Sequence, residues 1–461
     1  MEKQKKNEQL ITDFTTGSVP KQLLIFAAPL FLSNMLQIVY NMADMVIVGR
    51  ALGKVGLSAV AVGGDITNFL MFLAMGFSGA GQVIISQYIG ANRRDQLGRF
   101  VGTMFTFLTI CALLLSVSCL YLRESLMRLM HTPAESFDQA LAYATVCMVG
   151  LVFIYGYNIV SAVLRGMGDS RHPFIFISIA ALMNIFLDLL LVFGFHLGAM
   201  GAALATVVSQ GFSFVCCAVF LWHSRERFGF EIKGKDFARL DREMLKQLIG
   251  LGVPMALKSA SVQFSKLFVN SWINSYGVEV SAVAGIAGKF NNISNQISNA
   301  VNTAGSSMVG QNIGAEKYER VPRILITCAA IMLTVATTVS AVLLLFPTQV
   351  FGFFTDEAEV LAVAMEFLPI AVLIFYGGAF RAPMNALVNG SGNYTINFIT
   401  AILDGLLLRI GLALLFGLAL NLRYIGFWLG DALASFTPFW LGMIYYLSGA
   451  WRTRKYLIKD R

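Results

Sequence analysis

The sequence predicts an all-α integral membrane protein with twelve transmembrane helices in two pseudo-symmetric six-helix bundles around a central cavity. Three observations lead to this prediction. The composition is strongly apolar, the chain contains twelve apolar segments of membrane-spanning length, and an internal repeat divides those segments into two sets of six.

The composition identifies lipid as the solvent of most of the chain. Of its 461 residues 57% are hydrophobic and 13% are charged, whereas a soluble domain has about 25% charged residues. The net charge of +8 could indicate a nucleic-acid partner, but the basic residues lie in short loops and at the chain ends rather than on one amphipathic face. We therefore expect membrane lipid and no nucleic acid as partners.

A transmembrane helix needs about 20 mostly apolar residues. Segment 281–309 is unusually polar, which indicates that it faces the protein interior rather than lipid. The twelve predicted spans, numbered 1 to 12 in chain order, lie near 24–48, 56–80, 98–121, 139–163, 173–195, 200–223, 246–272, 281–309, 323–346, 361–388, 395–420 and 425–448.

Four short motifs of the first half recur in the second half, in the same order and at a nearly constant offset. They pair SAVA at 58–61 with 281–284, QYIGA at 87–91 with QNIGA at 311–315, KQLL at 21–24 with KQLI at 246–249, and GMG at 166–168 with GSG at 390–392. Because each copy holds six spans, the copies have parallel topology. The predicted domains are an N-lobe (1–223), a cytoplasmic linker (224–245) and a C-lobe (246–461).

Loop charges predict the orientation. An even number of spans places both termini on one side, and that side carries 24 Lys and Arg residues against five on the other. Basic residues collect on the cytoplasmic side. We therefore expect a multi-pass protein of the cytoplasmic (inner) cell membrane with both termini in the cytoplasm.

Two homologous bundles of parallel topology are typical of transporters that open a central cavity to either side in turn. A channel or a structural membrane protein is the alternative at this point. The sequence has no Walker A pattern, no G-x-S-x-G elbow and no metalloprotease helix. It therefore predicts no enzyme and no cofactor, and it indicates that an ion gradient supplies the energy.

Polar residues inside the spans point to a coupling site, because an ionisable group is expensive at membrane depth. Asn184 and Asp188 share a face of span 5, and Thr206 and Gln210 share a face of span 6. One helical stripe of span 1 carries Asn34, Gln37, Asn41 and Asp44.

This donor set is suited to two tasks. Carboxylate, amide and hydroxyl oxygens can bind a hard cation such as Na⁺. Alternatively, two carboxylates held close together in a low dielectric can retain a proton between them. Asn and Thr also serve as hydrogen-bonding links between helices, so the aspartates are the stronger functional candidates.

Four segments carry a resemblance to a known family: YNMADMVIVG at 40–49, QYIGA at 87–91, LRGMGD at 164–169 and NIFLD at 184–188. They resemble the multidrug and toxin extrusion (MATE) family, prokaryotic multidrug branch, and the resemblance covers essentially the whole chain. It implies efflux of small amphipathic molecules or drugs by Na⁺ or H⁺ antiport through alternating access, in a monomer. It also implies cation coupling at Asp44, Asn184, Asp188 and Thr206, which are metal ligands only if Na⁺ is the coupling ion.

The C-lobe departs from the acidic pattern of some family members. Its spans hold the bases Lys258, Lys266, Lys289, Arg381 and Arg409, which the sequence analysis sets against the acids Glu366 and Asp404. A basic C-lobe favours anionic or zwitterionic substrates. It also keeps open an alternative function, a flippase for a lipid-linked oligosaccharide of the same wider superfamily. The predicted substrate cavity contains Gln37, Asn41, Lys258, Gln263, Asn292 and Arg381.

The parallel repeat makes a testable prediction of topology. Single cysteines placed in residues 93–99 and in residues 317–323 should both react with a membrane-impermeant thiol reagent only when it is applied from the cytoplasmic side. Both loops carry three basic residues, and basic loops stay inside. Labelling of either loop from outside in intact cells would contradict the topology.

Overall fold

The computed structural model describes residues 11–130, 132–229, 234–237 and 240–453. Within these ranges the regular structure is helical and there is no strand. A helix satisfies its own backbone hydrogen bonds, so an apolar chain can cross lipid in this form. The predicted fold class, an all-α membrane protein of twelve helices in two similar halves, is confirmed.

The first six spans follow the predicted positions closely. Spans 1 and 2 belong to one helical stretch of 72 residues that is broken at Gly53. The helices are Val19–Gly90, Leu97–Leu129, Phe137–Gly166, Arg171–Asp188 with its continuation Leu189–Gly194, and Gly198–His223.

The last six spans are less regular. Span 11 alternates between α-helical and wider π-helical turns, and span 12 is interrupted at Ser435 and Phe436. The helices are Arg242–Asn274, Val278–Gly314, Val321–Leu345, Ala358–Gly390, the four segments Tyr394–Ile402, Leu403–Leu408, Arg409–Leu414 and Leu415–Ala419, and the pair Arg423–Ala434 and Thr437–Ser448.

Eight of these helices are apolar and long enough to cross a membrane by composition alone, and the first of them supplies both span 1 and span 2. Spans 7, 8 and 12 are the exceptions within the described residues. Span 8 fails through its run of Asn, Gln and Ser, as the sequence indicated, and span 12 fails because its two helices have only 12 residues each.

The backbone repeats as the sequence does. A positive φ favours glycine, and ten of the 13 described residues with a positive φ form five pairs at the offset of the sequence motifs. The pair of His196 with Asn421 and the pair of Gly198 with Arg423 establish the register between spans 5–6 and spans 11–12. The earlier pairs are Gly53 and Gly277, Asn92 and Glu316, and Gly168 and Gly392.

The described residues pack as two compact units. The first unit contains residues 11–13 and Ala28–Gly252, and the second contains Phe14–Ala27 and residues 253–453. The lobe and linker boundaries at 223 and 246 remain predictions. Residues 1–10, 131 and 454–461, and 230–233 and 238–239 of the predicted linker, lie outside the described residues.

The motif at 311–315 anchors a segment within the second unit. Phe14 donates its backbone N–H to Gln311 Oε1 at 2.9 Å, and Asn312 Nδ2 donates to the Phe14 carbonyl at 3.0 Å. The Phe14 side chain is fully buried. This use of Gln311 and Asn312 gives the repeated motif a structural role.

Each unit contains a glycine where two spans approach closely. A Cβ at Gly166 would lie 2.9 Å from the Gln82 carbonyl oxygen, and one at Gly390 would lie 2.8 Å from the Ser306 carbonyl oxygen. Side-chain carbons of Ile85 and Val309 lie slightly nearer, at 2.8 Å and 2.7 Å. The two carbonyl oxygens are backbone atoms, so they cannot move aside by a change of rotamer. Spans 2 and 4 and spans 8 and 10 therefore meet in the same way.

We expect Gly166→Ala and Gly390→Ala each to destabilise the protein by about 1–3 kcal/mol through overpacking. The measurement is the apparent Tm of the detergent-solubilised protein. Gly64→Ala and Gly288→Ala are the matched controls, since nothing lies within 4 Å of a Cβ at either position. An equal fall in Tm for controls and test variants would show that close approach is not the cause.

Candidate functional site

Two aspartates lie buried in the first unit. Asp44 belongs to span 1 and is 5% exposed, and Asp188 ends the α-helical part of span 5 and is 0% exposed. The Asp44 carboxyl lies close to the Asp188 carboxyl and to the Thr206 hydroxyl. Spans 1, 5 and 6 thus bring three oxygen-bearing groups together.

Asn184 completes this set. Its side chain is buried, and its Nδ2 donates to Thr206 Oγ1 across 3.4 Å. The structure therefore assembles all four predicted coupling residues, which we call the carboxylate site. Their part in coupling remains a prediction.

The carboxylate site is short of hydrogen-bond donors. Among the described residues, no donor contacts Asp188 Oδ1 or Oδ2, Asp44 Oδ1 or Asn184 Oδ1. Buried carboxylate oxygens without donors are strongly unfavourable unless a proton or a cation neutralises them. Such oxygens are also the ligands that hard cations prefer. The donor set therefore fits either a proton or Na⁺.

A turn of wider helix positions Asp188. The chain passes directly from Asp188 into Leu189–Gly194, which forms a π-helical turn. Such turns shift the facing of the residues around them and are frequent at functional sites. The sequence did not predict this feature.

A cavity of about 10 Å³ adjoins the site, close to the volume that one water-sized group needs. Its lining includes Asn184, Thr206, Tyr40 and Gln210. Gln210 Nε2 lies 3.4 Å from the Tyr40 hydroxyl. Tyr40 was not predicted as a site residue, although it lies four residues before Asp44 and therefore on the same helical face.

Tyr143 of span 4 is a further residue that the sequence analysis missed. It is buried and lies within electrostatic range of both Asp44 and Asp188. Gly63 makes room for it, because a Cβ there would lie 2.5 Å from the Tyr143 ring. A tyrosine in an apolar span gives no sequence signal that separates this position from ordinary packing.

Other predicted residues of the first unit lie apart from this cavity. Gln37 is half-buried and Asn41 is exposed, and neither lines the cavity beside the aspartates. Asp65 of span 2 is an exposed carboxylate that the sequence analysis passed over. No group of three or more His, Cys, Asp and Glu residues that could hold a metal ion occurs in the described part of the chain.

The second unit contains a different arrangement of charge. Lys258 Nζ donates to Asn385 Oδ1 at 2.7 Å, and Arg381 Nη2 donates to Asn295 Oδ1 at 2.8 Å. The remaining two residues of the predicted cavity, Gln263 and Asn292, are exposed. Lys258 and Arg381 are thus held by amide oxygens.

Arg409 forms the centre of this arrangement. It is 1% exposed and forms ion pairs with Asp404, at 2.7 Å, and with Asp431. The π-helical segment Leu403–Leu408 contains Asp404 and ends just before Arg409. Its wider turn brings residues five apart onto similar faces, which an α-helix would not do.

The acid count of the C-lobe was therefore wrong. Asp431 lies in span 12 and is a third acid beside Glu366 and Asp404. Glu366 accepts a hydrogen bond from the Tyr424 hydroxyl at 2.6 Å. Lys289 lies in a separate pocket with Glu279 and Glu357. Arg409 has two acid partners, and the remaining cluster is still rich in bases.

The repeat register relates the two sites. When His196 is aligned with Asn421, as the backbone indicates, Arg409 occupies the position of Asn184 and Asp431 that of Thr206. The first unit holds buried carboxylates without a fixed cation at this place in the repeat. The second unit holds a guanidinium between two carboxylates at the same place.

Comparison with known proteins identifies the family. The MatE family model matches residues 29–190 and 254–436, one range in each half of the chain. The chain belongs to the MatE family. The first range includes Asp44, Asn184 and Asp188, and the second includes Arg381, Arg409 and Asp431, whereas Thr206 lies between the two ranges.

MatE relatives and structures match over nearly the whole chain. The protein is 27% identical to probable multidrug resistance protein YpnP of Bacillus subtilis, across 96% of this chain and 98% of that one. It is 24% identical to probable multidrug resistance protein NorM of Thermotoga maritima, across 96% and 95%. A crystal structure of MATE in the straight conformation superposes with a TM-score of 0.86 at 23% identity, across 95% and 98%. The predicted resemblance is confirmed, and this MatE protein is a multi-pass membrane transporter.

The two sites of this MatE protein should respond oppositely to loss of a carboxylate. We expect Asp188→Asn to stabilise the protein by about 1–3 kcal/mol, because it removes a buried charge without donors. Asp404→Asn should destabilise it by about 3–5 kcal/mol, because it leaves Arg409 underpaired. The measurement is thermal unfolding in alkaline, Na⁺-free buffer, and a large loss of stability in Asp188→Asn would contradict this account.

Proposed function

We propose that this MatE-family chain exports small amphipathic molecules or drugs across the cytoplasmic membrane by antiport with Na⁺ or H⁺ through alternating access. The coupling ion binds at Asp44, Asn184, Asp188 and Thr206. The observation that supports this most directly is the absence of hydrogen-bond donors to the Asp188 carboxylate among the described residues. The transporting form in this proposal is a monomer with both termini in the cytoplasm, and no catalytic step is involved.

Charge provides the physical basis of coupling. Two buried carboxylates without a bound cation repel each other and are poorly solvated. Binding of Na⁺ or a proton neutralises part of this charge and so favours a different conformation. A ligand shifts a conformational equilibrium only through its different affinity for the two states. Coupling is reciprocal. A substrate that binds more tightly to the state with the lower ion affinity therefore promotes release of the ion.

The donor set can bind either ion, but Na⁺ and H⁺ would depend on different residues of it. A proton needs only the two carboxylates, one of which holds it. Na⁺ needs several oxygen ligands, and Asn184 Oδ1 and the Thr206 hydroxyl could supply two of them. The amide and hydroxyl therefore matter more for Na⁺ than for H⁺.

A flippase for a lipid-linked oligosaccharide is the second candidate. The excess of bases in the second unit favours it, because a pyrophosphate headgroup carries several negative charges. The carboxylate pair favours ion-coupled export, because two buried acids do not help to bind an anionic pyrophosphate. The names of the multidrug relatives also support export.

Replacement of either aspartate should uncouple the transporter. We expect Asp44→Asn and Asp188→Asn to reduce gradient-driven dye efflux from sealed vesicles to the level of empty vesicles, at normal protein abundance, because the volume is kept and the charge is lost. Asp95→Asn, an exposed carboxylate between spans 2 and 3, is the matched control and should be fully active. Full transport by Asp188→Asn would reduce this residue to a structural role.

The same vesicles identify the ion when Na⁺ and pH gradients are imposed separately. With Na⁺ coupling, Asn184→Ala and Thr206→Ala should raise the Na⁺ concentration for half-maximal efflux about tenfold, the effect of losing roughly 1.4 kcal/mol of binding. With H⁺ coupling, Na⁺ has no effect and both variants retain most of their activity. Efflux that responds to neither gradient would overturn the proposal.

A further inference from the structure

Three bases of the second unit have no acid partner, because both nearby acids form ion pairs with Arg409. Asp404 and Asp431 both contact Arg409. Lys266 and Arg381 lie within electrostatic range of both acids, and Lys258 lies within range of Asp404 and Arg381. The described residues contain no ion pair to any of these three bases. We call Lys258, Lys266 and Arg381 the basic triad.

The polar contacts of the basic triad provide hydrogen-bond acceptors but no negative charge. Lys258 and Arg381 donate to the amide oxygens of Asn385 and Asn295. Lys266 has no hydrogen bond to another described residue. An amide oxygen accepts a hydrogen bond but carries no formal charge. With all groups ionised, four bases and two acids leave this region with a net charge of +2.

A cavity lies beside two bases of the triad and Arg409, and Lys258 is not part of its lining. It measures about 10 Å³ and is lined by Lys266, Arg381 and Arg409, with Asp431 on the same wall. Neutral side chains with hydrogen-bond donors complete the polar lining, namely Asn291, Ser294, Asn295 and Ser435. The space fits a single water-sized atom or group, such as one oxygen of a carboxylate or phosphate.

The repeat argues against a purely structural role. When KQLL at 21–24 is aligned with KQLI at 246–249, Lys266 corresponds to Asn41 of the first unit, a neutral residue. The second unit thus has a charged side chain at a position where the first unit has an uncharged amide. Structural packing does not call for a charge here, since apolar residues of similar volume commonly stabilise a core as well or better.

We propose that the basic triad binds the anionic group, a carboxylate or phosphate, of the molecule that this protein exports. This inference rests on the proposed export function and specifies its substrate class. The guanidinium of Arg381 offers a planar fork of donors that matches two oxygens of such a group. The lysines add positive charge that is not tied to one geometry, which suits substrates of varied shape.

An anionic lipid headgroup has the same chemistry as a soluble organic anion. Lys258 lies at the centre of Arg242–Asn274, about 24 Å along the helix from either end at 1.5 Å per residue. The hydrocarbon core is only about 30 Å thick, so a resident headgroup would have to lie far from either surface. The position of Lys258 therefore favours a transported anion over a bound membrane lipid.

The test is direct binding, which does not require transport. The purified full-length protein is placed in nanodiscs of phosphatidylcholine, and fluorescence polarisation measures the Kd of fluorescein, an organic anion, and of ethidium, an organic cation. Lys258→Gln, Lys266→Gln and Arg381→Gln should each raise the Kd of fluorescein about tenfold or more, as expected for loss of a charge-assisted hydrogen bond. Inorganic phosphate should compete with fluorescein, and the Kd of ethidium should stay within about twofold or fall.

Controls separate charge from folding. Lys289→Gln removes a base of span 8 that lies in the pocket with Glu279 and Glu357, and it should leave the Kd of fluorescein unchanged. Arg381→Lys keeps the charge and should retain most of the binding that Arg381→Gln loses. Equal losses in Lys289→Gln and the triad variants, or equal effects on fluorescein and ethidium, would overturn the proposal.

Two further arms complete the experiment. Nanodiscs that contain phosphatidylglycerol test the lipid source: if this lipid occupies the site and fluorescein never binds without it, the substrate assignment is wrong. The anion site is measured by the Kd of fluorescein and coupling by gradient-driven efflux of ethidium, so the two proposals fail separately. Absence of fluorescein binding to the unmodified protein would refute the anion site even if gradient-driven ethidium efflux were intact.

Discussion

The low dielectric of the membrane makes a buried charge without a partner unfavourable, and the two units differ in how far their buried charges are paired. In the second unit, Arg409 lies between Asp404 and Asp431 and provides a fixed cation. In the first unit, Asp44 and Asp188 lie together without a fixed cation, and the Asp188 oxygens lack donors in the described structure. A covalently held cation cannot exchange, whereas a site that lacks one can bind and release an ion.

The contrast is notable because the loop that follows each site has the same backbone conformation. His196 and Gly198 share their positive φ values with Asn421 and Arg423, and the hydrogen bond from the Leu197 N–H to Leu191 recurs from Leu422 to Phe416 at 3.0 Å in both units. The two sites therefore occupy equivalent positions beside equivalent loops. Side-chain chemistry and the π-helical turn Leu403–Leu408 make one a candidate for reversible ion binding and the other a fixed ion pair.

Stability and function oppose each other at these positions. A carboxylate pair without donors destabilises the folded state, and proteins retain such strain where it serves a mechanism. The buried side chain of Tyr143 lies within electrostatic range of both carboxylates. The second unit carries an unbalanced positive charge instead, so the two halves differ in the sign of their buried charge.

The sequence by itself determined the fold class, the position of the spans, the repeat and the aspartates of the carboxylate site. These features depend on local composition, helical periodicity and the high free energy of charge in lipid. All three can be judged from the order of the residues along the chain. It also identified Lys258 and Arg381 as unusual. The polar run of span 8, Val278–Gly314, was correctly recognised as unsuited to face lipid.

Only the tertiary structure decided which charges pair. Asp431 escaped notice, and its contact with Arg409 joins spans 11 and 12. The contact of Lys258 with Asn385 links residues 127 positions apart, and the π-helical turn before Arg409 changes which residues share a face. Pairing of this kind depends on the facing of side chains from several helices, and packing in three dimensions sets that facing, whereas periodicity along a single helix does not.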